Sequence, residues 1–205
     1  MQILAHRGYW QRPDEKNSRR AFLRSFELGF GVETDVRDLA GNLVIAHDPP
    51  LPTCLHLIDF LGLPGASQQP LALNIKSDGL AELLKTAMQG IQNWFVFDMS
   101  VPDMRDHLRV GNPVFTRMSE IERNPLLPDQ AMGVWLDAFE NEWYSMDIVS
   151  DLLQRKKKVC IVSPELHGRN EVALWSSLRR LSGARDLMIC TDYPEKAREF
   201  FGVGQ

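Results

Sequence analysis

Eight short apolar runs, rich in β-branched and aromatic residues, recur along the chain at intervals of about 20 to 30 residues, with segments of helical period between them. They cover residues 2–6, 31–37, 71–77, 94–100, 113–119, 133–139, 158–164 and 186–192. Residues 18–28, 79–89, 146–156 and 172–181 carry apolar side chains three or four apart on a polar background, the pattern of amphipathic helices. Strands of a parallel sheet covered by helices are buried on both faces, so they read as runs rather than as alternations. The pattern predicts an α/β fold, a (β/α)8 TIM barrel, at the short end of the roughly 200 to 400 residues that such barrels occupy. An open doubly wound sheet is the alternative, but the glycine fingerprints of its nucleotide sites are absent from the sequence. No linker or composition shift divides the chain, and the Gly- and Pro-containing stretch 61–70 reads as a loop. A single domain over residues 1–205 is expected.

Composition narrows the function classes. With 205 residues, 44% of them hydrophobic, the chain can bury a sizeable core. The net charge is −4, and the basic cluster Arg155-Lys-Lys-Lys158 is too short for a nucleic-acid footprint. It reads as a solvated helix end, where positive charge is favourable to the backbone dipole. No apolar run approaches the roughly 20 residues that span a bilayer, and no export signal precedes Ile3-Leu-Ala5. Cys54, Cys160 and Cys190 lack paired spacing. These features together predict a cytoplasmic protein without a membrane span or a nucleic-acid partner.

Chemistry concentrates in Gly31-Val-Glu-Thr-Asp-Val-Arg37 and the returning Leu43-Val-Ile-Ala-His-Asp48. Glu33 and Asp35 lie two residues apart, so a strand points both carboxylates to one face. Other polar residues also end predicted strands: His6 and Arg7, Asn74 and Lys76, Asp98, and Asp137. Active sites of (β/α)8 folds lie at strand C-termini, and charges buried there need partners or a metal. A three-residue loop, Ala40-Gly41-Asn42, sets His47 opposite Asp35. A two-residue loop pairs His47 with Val36 and turns the imidazole away, because a one-residue slip reverses every side chain.

Plainer roles are assigned elsewhere. Asp98 and Asp137 read as caps or hydrogen-bonded strand ends and stay outside the metal set. His56, His107 and His167 read as surface residues, and Glu165 either lines the mouth or faces water. For Glu33 and Asp35 the structural alternative is an ion pair with Arg7, Arg37 or Lys76.

His6-Arg-Gly8, Asn17-Ser18, Glu33-Thr-Asp35 with Arg37, and His47-Asp48 resemble the motifs of glycerophosphodiester phosphodiesterases, and more widely of phospholipase C-like phosphodiesterases built on a (β/α)8 barrel. The match is specific over about the first 50 residues and continues weakly through Leu73-Asn-Ile-Lys76 and Thr191-Asp-Tyr-Pro194. The resemblance implies hydrolysis of a small phosphodiester, with a divalent cation, Mg²⁺ or Ca²⁺, held by Glu33 and Asp35. His6 and His47 are implied as general acid and base, and Arg7 and Lys76 as phosphate contacts.

Three positions depart from the family. Asn74 stands where a third metal-binding glutamate is usual and offers a neutral carbonyl oxygen. In Pro13-Asp-Glu-Lys-Asn-Ser18, Lys16 takes the place of a glutamate. The stretch between Asp48 and Leu71 leaves little room for an insertion domain after the hairpin. Glu33, Asp35 and Asn74 are the expected metal set. Two alternatives follow: a barrel that binds phosphate esters with weak or lost turnover, and an intramolecular, phospholipase C-like phosphoryl transfer.

Overall fold

A computed structural model describes residues 1–203, and every strand that the apolar runs predict is present. The order is β1 (Gln2–His6), α1 (Arg19–Glu27), β2 (Gly31–Leu39), β3 (Asn42–Ile45), α2 (Leu57–Leu61), β4 (Leu71–Ile75), α3 (Ala81–Ala87), β5 (Trp94–Phe97), α4 (Val101–Val110), β6 (Phe115–Met118), β7 (Gly133–Leu136), α5 (Met146–Gln154), β8 (Lys158–Val162), α6 (Val172–Leu178), β9 (Leu187–Thr191) and α7 (Pro194–Phe201). This is the α/β order of a (β/α)8 TIM barrel with one added hairpin strand, β3. The chain falls into two compact units, an N-terminal one of Ala5–Val114 and a C-terminal one running from Phe115 onward together with Met1–Leu4.

In the N-terminal unit β2 pairs in parallel with β4, β4 with β5, and β3 lies antiparallel on β2. All five residues of β4 are buried, as expected of a strand covered on both faces. Ser18 caps α1 by accepting from the Ala21 amide at 3.2 Å. The apolar face of α1 carries Phe22 and Phe26, whose rings pack on Phe60 of α2 with centroids 4.6 and 5.9 Å apart. The stretch 61–70, expected as a loop, is one except where Leu61 ends α2 and a 3₁₀ turn forms at Ala66–Gln68.

His107, expected at the surface, is fully buried on α4. Its Nε2 lies 3.3 Å from Asp103 Oδ2, and Asn112 Nδ2 lies 2.9 Å from its Nδ1. Burial lowers its pKa, with Asp103 opposing the shift. Helical spacing brings Asp103 and His107 together four residues apart, which a count of polar residues cannot reveal.

The hairpin corrects the expected register. Leu39 faces Asn42 and Val36 faces Ile45, so the loop is the two-residue Ala40-Gly41 turn. Both turn residues have positive φ, 50° and 82°, the backbone that matches the twist of hairpin strands. Continuing this register sets position 47 across from Thr34 rather than Val36; both lie on the opposite face from Asp35. The strand ends at Ile45, however, so the pleat no longer dictates where His47 points.

In the C-terminal unit β6, β7, β8 and β9 pair in sequence, all parallel. Residues 119–132 between β6 and β7 form an irregular loop without a helix. The basic cluster after α5 is more than a solvated end: Lys156 turns the chain with φ 61°, and Lys157 Nζ donates to the Ala131 carbonyl at 2.7 Å. Among the described residues no helix is long and apolar enough to cross a membrane.

Gly133 opens β7 where the chains approach most closely, since a Cβ there would meet the Lys158 carbonyl at 2.5 Å and the Phe115 ring at 2.6 Å. Gly133→Ala is expected to destabilise the protein by about 1–3 kcal/mol through overpacking, read as a lower denaturant midpoint at constant slope.

Candidate active site

The end of β1 and the start of the next turn are fixed by backbone geometry. Arg7 has φ 56°, and its amide donates to the Glu33 carbonyl at 2.9 Å and lies 3.2 Å from Glu33 Oε2. Gly8 follows with φ 79°; a Cβ there would strike Ala21 and Phe22 at 2.9 Å. Only glycine fits this close passage over α1.

Three further side chains meet at the ends of β2 and β4. Register pairs Asp35 with Asn74, and parallel partners share a face, so Asn74 joins Glu33 and Asp35 on one side of the sheet. All three are buried, with exposures of 2% for Glu33, 0% for Asp35 and 8% for Asn74. Asp35 Oδ2 accepts from Asn17 Nδ2 at 2.8 Å and lies 3.0 Å from Arg7 Nε. Lys76 Nζ lies 3.5 Å from Asp35 Oδ1, which accepts no hydrogen bond. The ion pair considered as the structural alternative for Asp35 is therefore present, with Arg7 and Lys76.

Glu33 has a weaker set of partners. His6 Nε2 lies 3.9 Å from its Oε2. Burial, and then the Asp35 charge, push the Glu33 carboxyl up to about 7, against the partial relief given by His6, Arg7 and Lys76.

The donor chemistry fits a hard divalent cation. Asn74 Nδ2 donates to Asp98 Oδ2 at 3.3 Å, which fixes the amide and leaves its Oδ1 buried without a hydrogen bond. Asp35 Oδ1 is in the same condition, and buried oxygens without donors are costly unless a cation takes them up. The third oxygen is an amide rather than a carboxylate: among the described residues no three His, Cys, Asp or Glu side chains gather as a metal group.

His47 lies past the hairpin strand with its side chain 44% exposed. Its Nδ1 lies 3.0 Å from Asp48 Oδ1, and its carbonyl accepts from Arg37 Nε at 3.0 Å. It forms no hydrogen bond or ion pair with Glu33 or Asp35. The structure thus brings together His6, Arg7, Glu33, Asp35, Asn74 and Lys76, and leaves His47 on the neighbouring turn.

Asn17 is the residue that sequence reasoning left without a role. With φ 58° it donates its backbone amide to the Arg7 carbonyl at 2.9 Å and bridges the Thr34 hydroxyl and Asp35. Asparagine tolerates a left-handed backbone better than most residues, a signal already legible in the Asn17-Ser18 pair. Glu15, two residues earlier, turns inward to accept from the Gln11 amide at 2.9 Å and from Arg24 at 3.0 Å.

The remaining candidates lie in the C-terminal unit. Asp137 Oδ1 accepts from the Ala138 amide at 2.7 Å and pairs with His167 Nε2 at 2.7 Å, so His167 is a partnered residue and not a free surface one. Glu165 does not simply face water: Ser163, just past β8, and Thr191, at the C-terminal end of β9, donate their hydroxyls to it, and the Asp192 amide donates at 3.1 Å.

No protein-family model matches the chain, and no curated protein matches it by sequence. Solved structures do. A glycerophosphodiester phosphodiesterase from Thermotoga maritima aligns with TM-score 0.72 over 96% of this chain and 97% of its own, at 16% identity. One from Agrobacterium tumefaciens aligns with TM-score 0.70 over 98% and 99%, at 14% identity. The chain has the fold of these enzymes. A Ca²⁺-dependent phosphatidylinositol-specific phospholipase C from Streptomyces antibioticus aligns more loosely, with TM-score 0.57 over 98% and 95% at 12% identity. The resemblance carried by the first 50 residues or so therefore extends, as a fold, over nearly the whole chain.

The raised Glu33 pKa has a signed consequence. In chelator, this carboxyl binds a proton in the folded state over a pH range where the unfolded chain has released it. Stability from that proton is present below about pH 4.5 and is lost as pH rises through about 7, with a slope approaching 1.4 kcal/mol per pH unit. Glu33→Gln is expected to remove this slope from denaturation curves measured between pH 4.5 and 7.

Proposed function

We propose that this chain is a metal-dependent phosphodiesterase, acting over residues 1–205 as one domain and hydrolysing a glycerophosphodiester. The observation that carries the reading is the buried oxygen set of Glu33, Asp35 and Asn74, with Arg7 and Lys76 converging on Asp35. Glu33 lacks the close cationic partners of Asp35 and has no economical explanation in stability alone, because a buried charge costs several kcal/mol when unpaired. The full-length likeness to solved glycerophosphodiester phosphodiesterases supports the same reading.

Each residue has a part in the mechanism. Glu33, Asp35 and Asn74 would hold Mg²⁺ or Ca²⁺, which when bound neutralises charge on a phosphate oxygen. Arg7 can exchange its contact with Asp35 for a fork on the phosphate, and Lys76 can add a point charge to the same oxygens. His6, 3.9 Å from Glu33, can exchange a proton with the attacking or leaving oxygen, with Glu33 holding the ring in place. His47, oriented by Asp48, is the second proton carrier, reaching the substrate from the turn after β3. The substrate is a small phosphodiester, without a nucleic-acid partner, and three free cysteines suit a cytoplasmic location.

One observation favours a second reading. Asp35 is already paired with Arg7 and Lys76 and accepts a hydrogen bond from Asn17, so the site is electrostatically tolerable without a cation. A barrel that binds phosphate esters with little turnover would have this arrangement.

Turnover of glycerophosphodiesters is expected to stop in chelator and return with Mg²⁺ or Ca²⁺. His6→Ala and His47→Ala should each lower kcat by about 10²–10⁴. Tight binding of a phosphate ester in chelator, with no product formed under any condition, would support the second reading instead. Asn74→Ala is expected to weaken cation affinity in calorimetry while leaving the fold intact, because its carbonyl is a donor without charge.

A further inference from the structure

The loop that follows β1 carries one cation with no counter-charge. Arg12 pairs with Asp14 at 3.1 Å, and Glu15 is taken by Arg24 at 3.0 Å and Arg20 at 3.5 Å. Among the described residues Lys16 forms no ion pair; its ammonium sits over the Trp10 ring, 4.5 Å from the centroid. That ring is itself fixed to the site, since Trp10 Nε1 donates to the His6 carbonyl at 3.2 Å. The residue after Lys16 is Asn17, which grips both Asp35 and the Arg7 carbonyl. The ammonium thus rests on the Trp10 face while the backbone of Lys16 leads directly into Asn17, whose side chain reaches Asp35, and both Lys16 and Trp10 remain half-buried rather than closed off.

An aromatic face orients a cation without neutralising it. A positioned and uncompensated ammonium is a recognition group for an anion. It also occupies the aromatic face on which a quaternary ammonium would otherwise sit, so it disfavours cationic ligands at the same spot.

We propose that Lys16, seated on Trp10, selects phosphodiesters whose alcohol arm carries a second negative group, a carboxylate or a phosphate, over those with a cationic arm. This rests on the phosphodiesterase reading and adds the substrate class to it. The carboxylate and phosphate arms share one chemistry, a compact anion meeting a single ammonium.

The experiment compares kcat/KM for glycerophosphoglycerol, its phosphorylated and glycerate-bearing counterparts, and glycerophosphocholine. The wild-type protein should prefer the two anionic-arm substrates over glycerophosphocholine. Lys16→Gln should lower that preference about tenfold, the scale of one charge-assisted contact, and Lys16→Arg should retain most of it. Arg12→Gln makes the same change in net charge on the same loop and should shift the ratio by less than about twofold. An unchanged ratio in Lys16→Gln, or an equal fall in Arg12→Gln, would overturn the proposal. Calorimetry with the anionic and neutral diesters separates this from the parent reading. Absence of turnover on every diester would count against hydrolysis, whereas equal affinity of wild-type and Lys16→Gln protein for the anionic diester would count against Lys16.

Discussion

A fully buried carboxylate, Asp35, organises the site. It lies at 0% exposure on β2, where an unpaired charge would cost several kcal/mol, and the surrounding chain is arranged to offset that cost. Arg7 approaches one oxygen from a left-handed turn after β1, Asn17 reaches the same oxygen from the loop before α1, and Lys76 approaches the other from beyond β4. Three separate segments are therefore held in register by one charge. Glu33, one pleat away, has no comparable set of partners, and its raised pKa is the physical result.

That asymmetry bears on function. A carboxylate stabilised by its neighbours and another strained by burial make a site that is tolerable when empty of cation and better satisfied when a cation is present. Asn74 adds an oxygen without adding charge, so the repulsion between Glu33 and Asp35 is not increased. The same economy extends to the loop that bears Glu15 and Lys16. Glu15 is turned inward onto Arg24 and Arg20, and Lys16 rests over the Trp10 ring without a counter-charge among the described residues.

Much of the site was legible because strand periodicity is strict. Two residues apart on β2 means one face, so Glu33 and Asp35 could be placed together from sequence, and Asn74 and Lys76 could be assigned to the end of the next parallel strand. Asn17 stood in plain view but without a role, since its contacts to Arg7, Thr34 and Asp35 are made through a left-handed backbone that no pattern of apolar residues encodes. His107 was misplaced for a different reason. A histidine on an amphipathic helix looks polar in a count, yet inside the core Asp103 one turn away lies 3.3 Å from its Nε2 and Asn112 beyond the helix meets its Nδ1 at 2.9 Å.

The sequence by itself determined the eight strands and the shared face of the two carboxylates, because both follow from local periods of two and 3.6 residues. Only the tertiary structure decided the hairpin register and the partners of Asp35. The turn closed with two residues, Ala40 and Gly41, both left-handed, and β3 ended at Ile45, so His47 lies on the turn that follows rather than on the pleat of Asp35. Likewise, which cations meet Asp35 depended on the segments beyond β1 and β4, where contacts between distant parts of the chain outweigh any local preference.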